Sequence, residues 1–157
     1  MSVLHQRGAL FTDVVLEIFR LNRLLLDAGD VLTAPAGLTS ARWQVLGIVE
    51  HGPATVSAVA RAMGLTRQSV QETANRLQAE GFVEFAANPR HRRAKLIAMT
   101  PKGHAAMKTV QRRHAIWAND LGGRHDTAAL GSTVAMLREV RASLEGAAPL
   151  PVEEVAS

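Results

Sequence analysis

The stretch from Thr55 to Gly81 constrains the fold of this chain more than any other. Val56, Val59, Ala60 and Met63 recur at three- and four-residue steps, and so do Val70, Ala74 and Leu77. Each set forms the apolar face of a short helix. Only the break Gly64-Leu65 separates them, with Thr66 placed to cap the second helix and Gly81 to end it. Helices joined this tightly must cross closely, and Ala60 is small enough for that crossing. Thr73 stands where an aliphatic residue would be usual, so Ala74 and Leu77 must hold that face. The spacing predicts a helix-turn-helix.

The period then changes. Phe82-Val83-Glu84-Phe85 is aromatic and β-branched, Asn88-Pro89 is a turn signal, and Ala94 to Met99 reads as a returning strand. A β-hairpin with its tip at Asn88–Arg93 follows directly on the helix pair, which is the pattern of a winged helix. Thr100-Pro101 starts the next helix with a hydroxyl cap and a proline whose missing N–H costs nothing there.

Longer helices flank this core. Phe11, Val14, Val15, Ile18, Leu21 and Leu25 stripe a helix from Val3 to about Asp27. Phe19, Leu24 and Leu26 widen the stripe until it needs more than one neighbour. Gly29 to Leu38, with two glycines and a proline, reads as a loop. Thr39 caps a helix carrying Trp43, Leu46, Ile48 and Val49, which His51-Gly52-Pro53 stops. In the helix from Pro101 to Leu121, Met107, Val110, His114, Trp117 and Leu121 follow a heptad-like seam. A last helix from about Asp126 to Leu144 carries Leu130, Val134, Leu137, Val140 and Leu144 on one face.

The expected fold is mainly α with a small β-hairpin wing, a winged helix-turn-helix domain plus a helical dimerisation region. Residues 1–35 are expected to form an N-terminal dimerisation helix and loop, and 36–100 the winged domain. Residues 101–145 are expected to form the C-terminal dimerisation helices, and 146–157 a flexible tail. The shared seam is expected to use Val14, Ile18, Met107, Val110, His114, Trp117, Leu121 and Leu137.

The 157 residues are 47% hydrophobic and 20% charged, the balance of a globular chain. No cysteine is present, which excludes disulfides, thiolate metal sites and cysteine nucleophiles. No pair of the six histidines has metal-ligand spacing with a carboxylate alongside. Neither a metal nor a cofactor is expected. The sequence has no Gly-rich phosphate loop, nucleophile elbow or standout carboxylate pair, so an enzyme is not expected. No signal-peptide pattern or run of 18 apolar residues occurs, and a cytoplasmic location without membrane association is expected.

Charge is unevenly placed. Between Phe85 and Asn119 lie eight Lys/Arg and no acid, while the remainder has 10 basic and 14 acidic residues. One basic stretch in an otherwise acidic chain suits a polyanion. Arg67, Gln68, Ser69, Gln71 and Glu72 occupy the first turns of the second helix of the pair. Arg and Gln there have the bidentate geometry for purine edges in a major groove. Arg90, His91, Arg92 and Arg93 make a cationic tip suited to a narrow minor groove. Thr39, Thr55 and Ser57 lie at helix starts able to meet phosphate. The alternative is a winged-helix protein-interaction or RNA-binding module without operator specificity. The chain has no Tyr and only six Phe and Trp, mostly in apolar stripes, which favours duplex DNA over base-stacking RNA recognition.

The order of helices, the run Leu77–Val83 and the run Arg90–Gly103 resemble the MarR-type (multiple antibiotic resistance regulator) transcription factors over about residues 5–145. The resemblance implies a homodimer with intertwined first and last helices, acting as a transcriptional regulator, in the usual case a repressor. It implies a pseudo-palindromic operator, with a recognition helix in the major groove and a wing in the minor groove. Arg93 matches the family's wing arginine, while Asn88 and His91 stand where the family often has Asp. The resemblance also implies a small-molecule effector between the dimerisation helices and the winged domain. Phe11, Arg42 and Trp43 are the candidate liners, a set suited to an aromatic acid.

Overall fold

The computed structural model describes residues 4–147. Of the expected tail, residues 148–157 lie outside the described residues. The elements run α1 (Gln6–Thr33), a single 3-10 turn (Ala34–Ala36), α2 (Ser40–Val49), β1 (Ala54–Thr55), α3 (Val56–Met63), α4 (Arg67–Ala79), β2 (Val83–Ala86), β3 (Leu96–Met99), α5 (Pro101–Gly122) and α6 (Thr127–Glu145). The chain divides into two compact units after His114.

Most helix boundaries follow from local chemistry. The side chains of Thr39, Thr55, Thr66 and Asp126 each accept the N–H three residues on, at Arg42, Ala58, Ser69 and Ala129. Gly64 ends α3 at φ +64°, the left-handed cap that a side chain disfavours. Three strands form one antiparallel sheet in the order β1-β3-β2, with Ala54 opposite Ile97 and Phe85 also opposite Ile97. The sheet therefore closes the wing onto the segment that enters α3. The expected hairpin had no third strand, because two residues are too few to show a period.

The expected loop after the first helix is corrected. Gly29 to Leu38 is not a loop, since α1 continues through Gly29 to Thr33 and a 3-10 turn follows. Gly29 is a close-approach residue rather than a breaker, because a Cβ there would lie 2.5 Å from Ser40 Oγ. Two bonds hold the approach. Asp30 Oδ1 accepts from Ser40 N at 2.7 Å, and the buried Thr33 hydroxyl donates to the Leu38 carbonyl at 3.1 Å.

The core of the first unit is built from α2, α3, α4, the sheet and the first half of α5. Leu46, Val59, Val70, Ala74, Leu77, Ile97 and Val110 are fully buried in it. This corrects the dimer seam. Met107 and Val110 are 2% and 0% exposed within the chain's own core, so they cannot be offered to a partner. His114 also has an internal neighbour, its ring meeting Trp43 edge-on at 5.3 Å.

The run Thr100-Pro101-Lys102-Gly103 joins α5 to the end of α4. Thr100 N donates to the Phe82 carbonyl at 3.1 Å, and Thr100 Oγ1 accepts from Gly103 N at 3.2 Å. Lys102 Nζ donates to the Glu80 carbonyl at 2.6 Å and sits 4.5 Å from the Phe82 ring centroid. A Cβ on Gly103 would overlap the Phe82 carbonyl oxygen and come within 2.6 Å of Met99 Cγ. Only glycine fits there without movement.

Candidate nucleic-acid interface

Three elements enclose a groove of about 720 Å³. The start of α3 contributes Thr55, Val56 and Ser57. The outer face of α4 contributes Arg67, Gln68, Gln71, Asn75 and Gln78, and the wing contributes Phe85, Arg93, Ala94 and Lys95. Three cations and no acid line it, the charge a nucleic-acid backbone demands.

Each wall has a structural cause. Burial of Val70, Ala74 and Leu77 turns the opposite face of α4 outward, so Gln68, Gln71, Asn75 and Gln78 share one exposed stripe at three- and four-residue spacing. The Thr66 cap fixes where that helix begins. The pairing of β3 with both β1 and β2 anchors the wing base, which holds Arg93 and Lys95 opposite the stripe.

At the tip, Asn88 Oδ1 accepts from Arg90 N at 3.0 Å. Backbone bonds from His91 N to Asn88 O and from Ala94 N to His91 O make two successive turns. The amide of Asn88 thus organises the tip backbone by the same local bond an aspartate there would make. Among the described residues, no ion pair engages Arg67, Arg90, Arg92 or Arg93. These guanidiniums are available to an external anion.

The groove brings together Thr55, Ser57, Arg67, Gln68, Gln71 and Arg93 from the expected set. Arg90 and Arg92 lie exposed on the tip beyond it, and Thr39 is spent capping α2. Ser69 is exposed, but its hydroxyl donates back to the Thr66 carbonyl at 3.0 Å. Glu72 accepts from Gln68 Nε2 at 3.2 Å. Sequence reasoning missed Asn75, Gln78 and Lys95. The signal for the first two was present, because the spacing that links Gln68 to Gln71 continues through both.

Two of the three expected effector liners have other partners. Arg42 makes a bidentate pair with Glu80 at 2.6 and 2.8 Å, and its side chain is only 18% exposed. Trp43 packs against the core and His114, while Phe11 is exposed on α1. The cation that would fix an acid is thus already neutralised by Glu80.

A helix-turn-helix whose outward polar stripe faces a cationic β-wing defines a winged-helix DNA-binding protein. Residues 36–94 match the sequence model of the MarR family. A Streptomyces coelicolor MarR family transcriptional regulator of known structure is 28% identical, with a TM-score of 0.71 over 85% of this chain and 94% of that one. The chain belongs to the MarR family of transcriptional regulators. An uncharacterised protein of Mycobacterium tuberculosis is 37% identical over 136 residues, covering 87% of this chain and 95% of that protein. The M. tuberculosis regulator MOSR, whose structure is in complex with DNA, shares the fold at 23% identity. Its TM-score is 0.68, over 83% of this chain and 96% of that one. Among the described residues, no helix is long and apolar enough to cross a membrane.

Proposed function

We propose that this regulator is a homodimeric repressor of a pseudo-palindromic operator. Each protomer lays α4 in a major groove and its wing in the adjacent minor groove, so that one backbone strand runs through the space between them. The observation that carries the reading is the groove itself. Amide side chains suited to base edges line one wall, unpaired arginine and lysine line the other, and no acid intervenes.

Dimerisation is supported by apolar surface that the chain leaves uncovered. Leu130, Val134 and Leu137 of α6 are 41–46% exposed, and α6 has no buried residue. On α1, Phe19 and Leu24 are 68% and 64% exposed. Exposed apolar surface on each of these helices marks an interaction site, and two-fold pairing is its simplest cover. A two-fold dimer then presents two recognition helices to two half-sites.

The test is salt dependence on duplex DNA. Each phosphate neutralised should contribute about 0.9 to the slope of log affinity against log salt. A steep slope with retained sequence preference supports the reading. A slope near zero would favour a protein-interaction module instead.

A further inference from the structure

We infer that Glu72 is a positioning residue that sets the base preference of Gln68, so that the pair facing Gln68 in each half-site is A·T with adenine in reach. The inference rests on the DNA-reading assignment above. Glu72 is the one acid in the first turns of α4, where an acid otherwise costs affinity by repelling phosphate. Its geometry explains its presence. Gln68 Nε2 donates to Glu72 Oε1 at 3.2 Å, along the i,i+4 line of the helix.

A carboxylate can only accept, so the amide of Gln68 must turn its nitrogen, not its oxygen, toward Glu72. That contact uses one of the two N–H groups. With the N–H on the Cγ side given to Glu72, the remaining N–H and the carbonyl oxygen are left side by side. A donor beside an acceptor matches adenine N7 and N6–H in the major groove, whereas guanine presents two acceptors there. An unrestrained glutamine can rotate its amide to suit other bases; a tethered one pays to do so. The neighbouring pair lacks this asymmetry. Gln71 Nε2 meets Asn75 Oδ1 at 2.8 Å, but both groups are amides and either can donate. Gln71 is therefore adaptable where Gln68 is fixed. In this arrangement Glu72 touches Gln68 rather than a base, and cytosine recognition by its carboxylate is not required.

The experiment uses the full-length protein and duplexes selected by it from a random pool. The pair read by Gln68 is the one whose substitution matters to wild type and no longer matters to Gln68→Ala. That pair should be A·T, and 7-deazaadenine at that site, which lacks the N7 acceptor, should weaken wild type by about 5- to 10-fold. Glu72→Ala should bind random duplex about 2- to 5-fold tighter, since an acid has left the interface. It should nevertheless lose about 3- to 10-fold in the specific-to-random ratio, and the 7-deaza penalty should shrink with it. Glu72→Gln removes the same charge but keeps an acceptor, so it should recover part of the ratio. A ratio unchanged in both Glu72 variants, with specific and random affinity rising together, would make the acid a repeller only and overturn the inference. A G·C pair opposite Gln68 would overturn it too. If Gln68→Ala loses no preference at any position, the recognition face itself is misassigned, and the inference falls with it.

Discussion

Gly103→Ala should destabilise the protein even though alanine is the better helix former. Gly103 lies in the first turn of α5, where replacing glycine with alanine ordinarily gains about 1 kcal/mol. Here the added methyl meets the Phe82 carbonyl oxygen and, at 2.6 Å, Met99 Cγ. The methionine can swing away, but the carbonyl cannot. It accepts from Thr100 N at 3.1 Å and from Thr100 Oγ1 at 3.0 Å, and Phe82 N is itself tied to the Leu77 carbonyl at 2.9 Å. Overpacking typically costs about 1–3 kcal/mol, and an overlap with pinned backbone belongs at or above the upper end. The net loss is then about 2 kcal/mol, or roughly 4–8 °C in Tm for a chain of this size. Gly47→Ala is the control, being mid-helix in α2 with nothing within 4 Å of the added carbon. It should gain up to about 1 kcal/mol. Both are compared with wild type by urea and thermal unfolding at one protomer concentration, because dimerisation makes apparent stability concentration-dependent. A Gly103→Ala protein as stable as wild type would show that the α4–α5 junction relaxes freely, and would refute the steric argument.

Three further outcomes are expected. Gly29→Ala should cost about 1–2 kcal/mol through its contact with Ser40, and Ser40→Gly should recover much of the loss; additive costs in the double mutant would deny that the two residues touch. Arg42→Met should lose about 1 kcal/mol in urea unfolding, and Glu80→Gln should add little to it, because the two changes remove one partly screened ion pair. Leu137→Glu should shift the protein toward monomer in sedimentation equilibrium by at least about tenfold in dissociation constant, since a charge would enter the proposed two-fold contact. An unchanged constant would remove α6 from that contact.

What the sequence made legible was chiefly local. Thr39 and Thr66 were legible as caps and Thr55 and Asp126 as helix starts, because each bonds an N–H only three residues away, and the Gly64 turn needs only its own backbone. Readings failed where a partner distant in sequence decided the outcome. Gly29 looks like a breaker until Ser40 is seen against it. The heptad-like stripe of α5 is buried only at Met107 and Val110, and periodicity reports that a face is apolar, not what covers it. Met107 and Val110 turned out to face the chain's own core. Arg42 looked like a free cation because Glu80 lies 38 residues away. The groove was half read. Its first-turn residues and wing arginine were legible as chemistry, whereas Asn75 and Gln78 needed only the same spacing carried two turns further.

The central claim is that the wing enters a minor groove while α4 occupies the major groove beside it, once in each half of a two-fold site. Because the chain has no cysteine, Arg92→Cys creates a unique attachment point at the wing tip for an iron–EDTA cleaver. Arg92 lies outside the groove, so Arg93 and Lys95 remain in place. On a selected operator the account predicts two clusters of strand cleavage related by the operator's dyad. Within each, the maxima on the two strands should be offset toward their 3′ ends, as a cleaver in the minor groove produces. A single cluster, an offset of the opposite sense, or cleavage spread evenly along the duplex would contradict it.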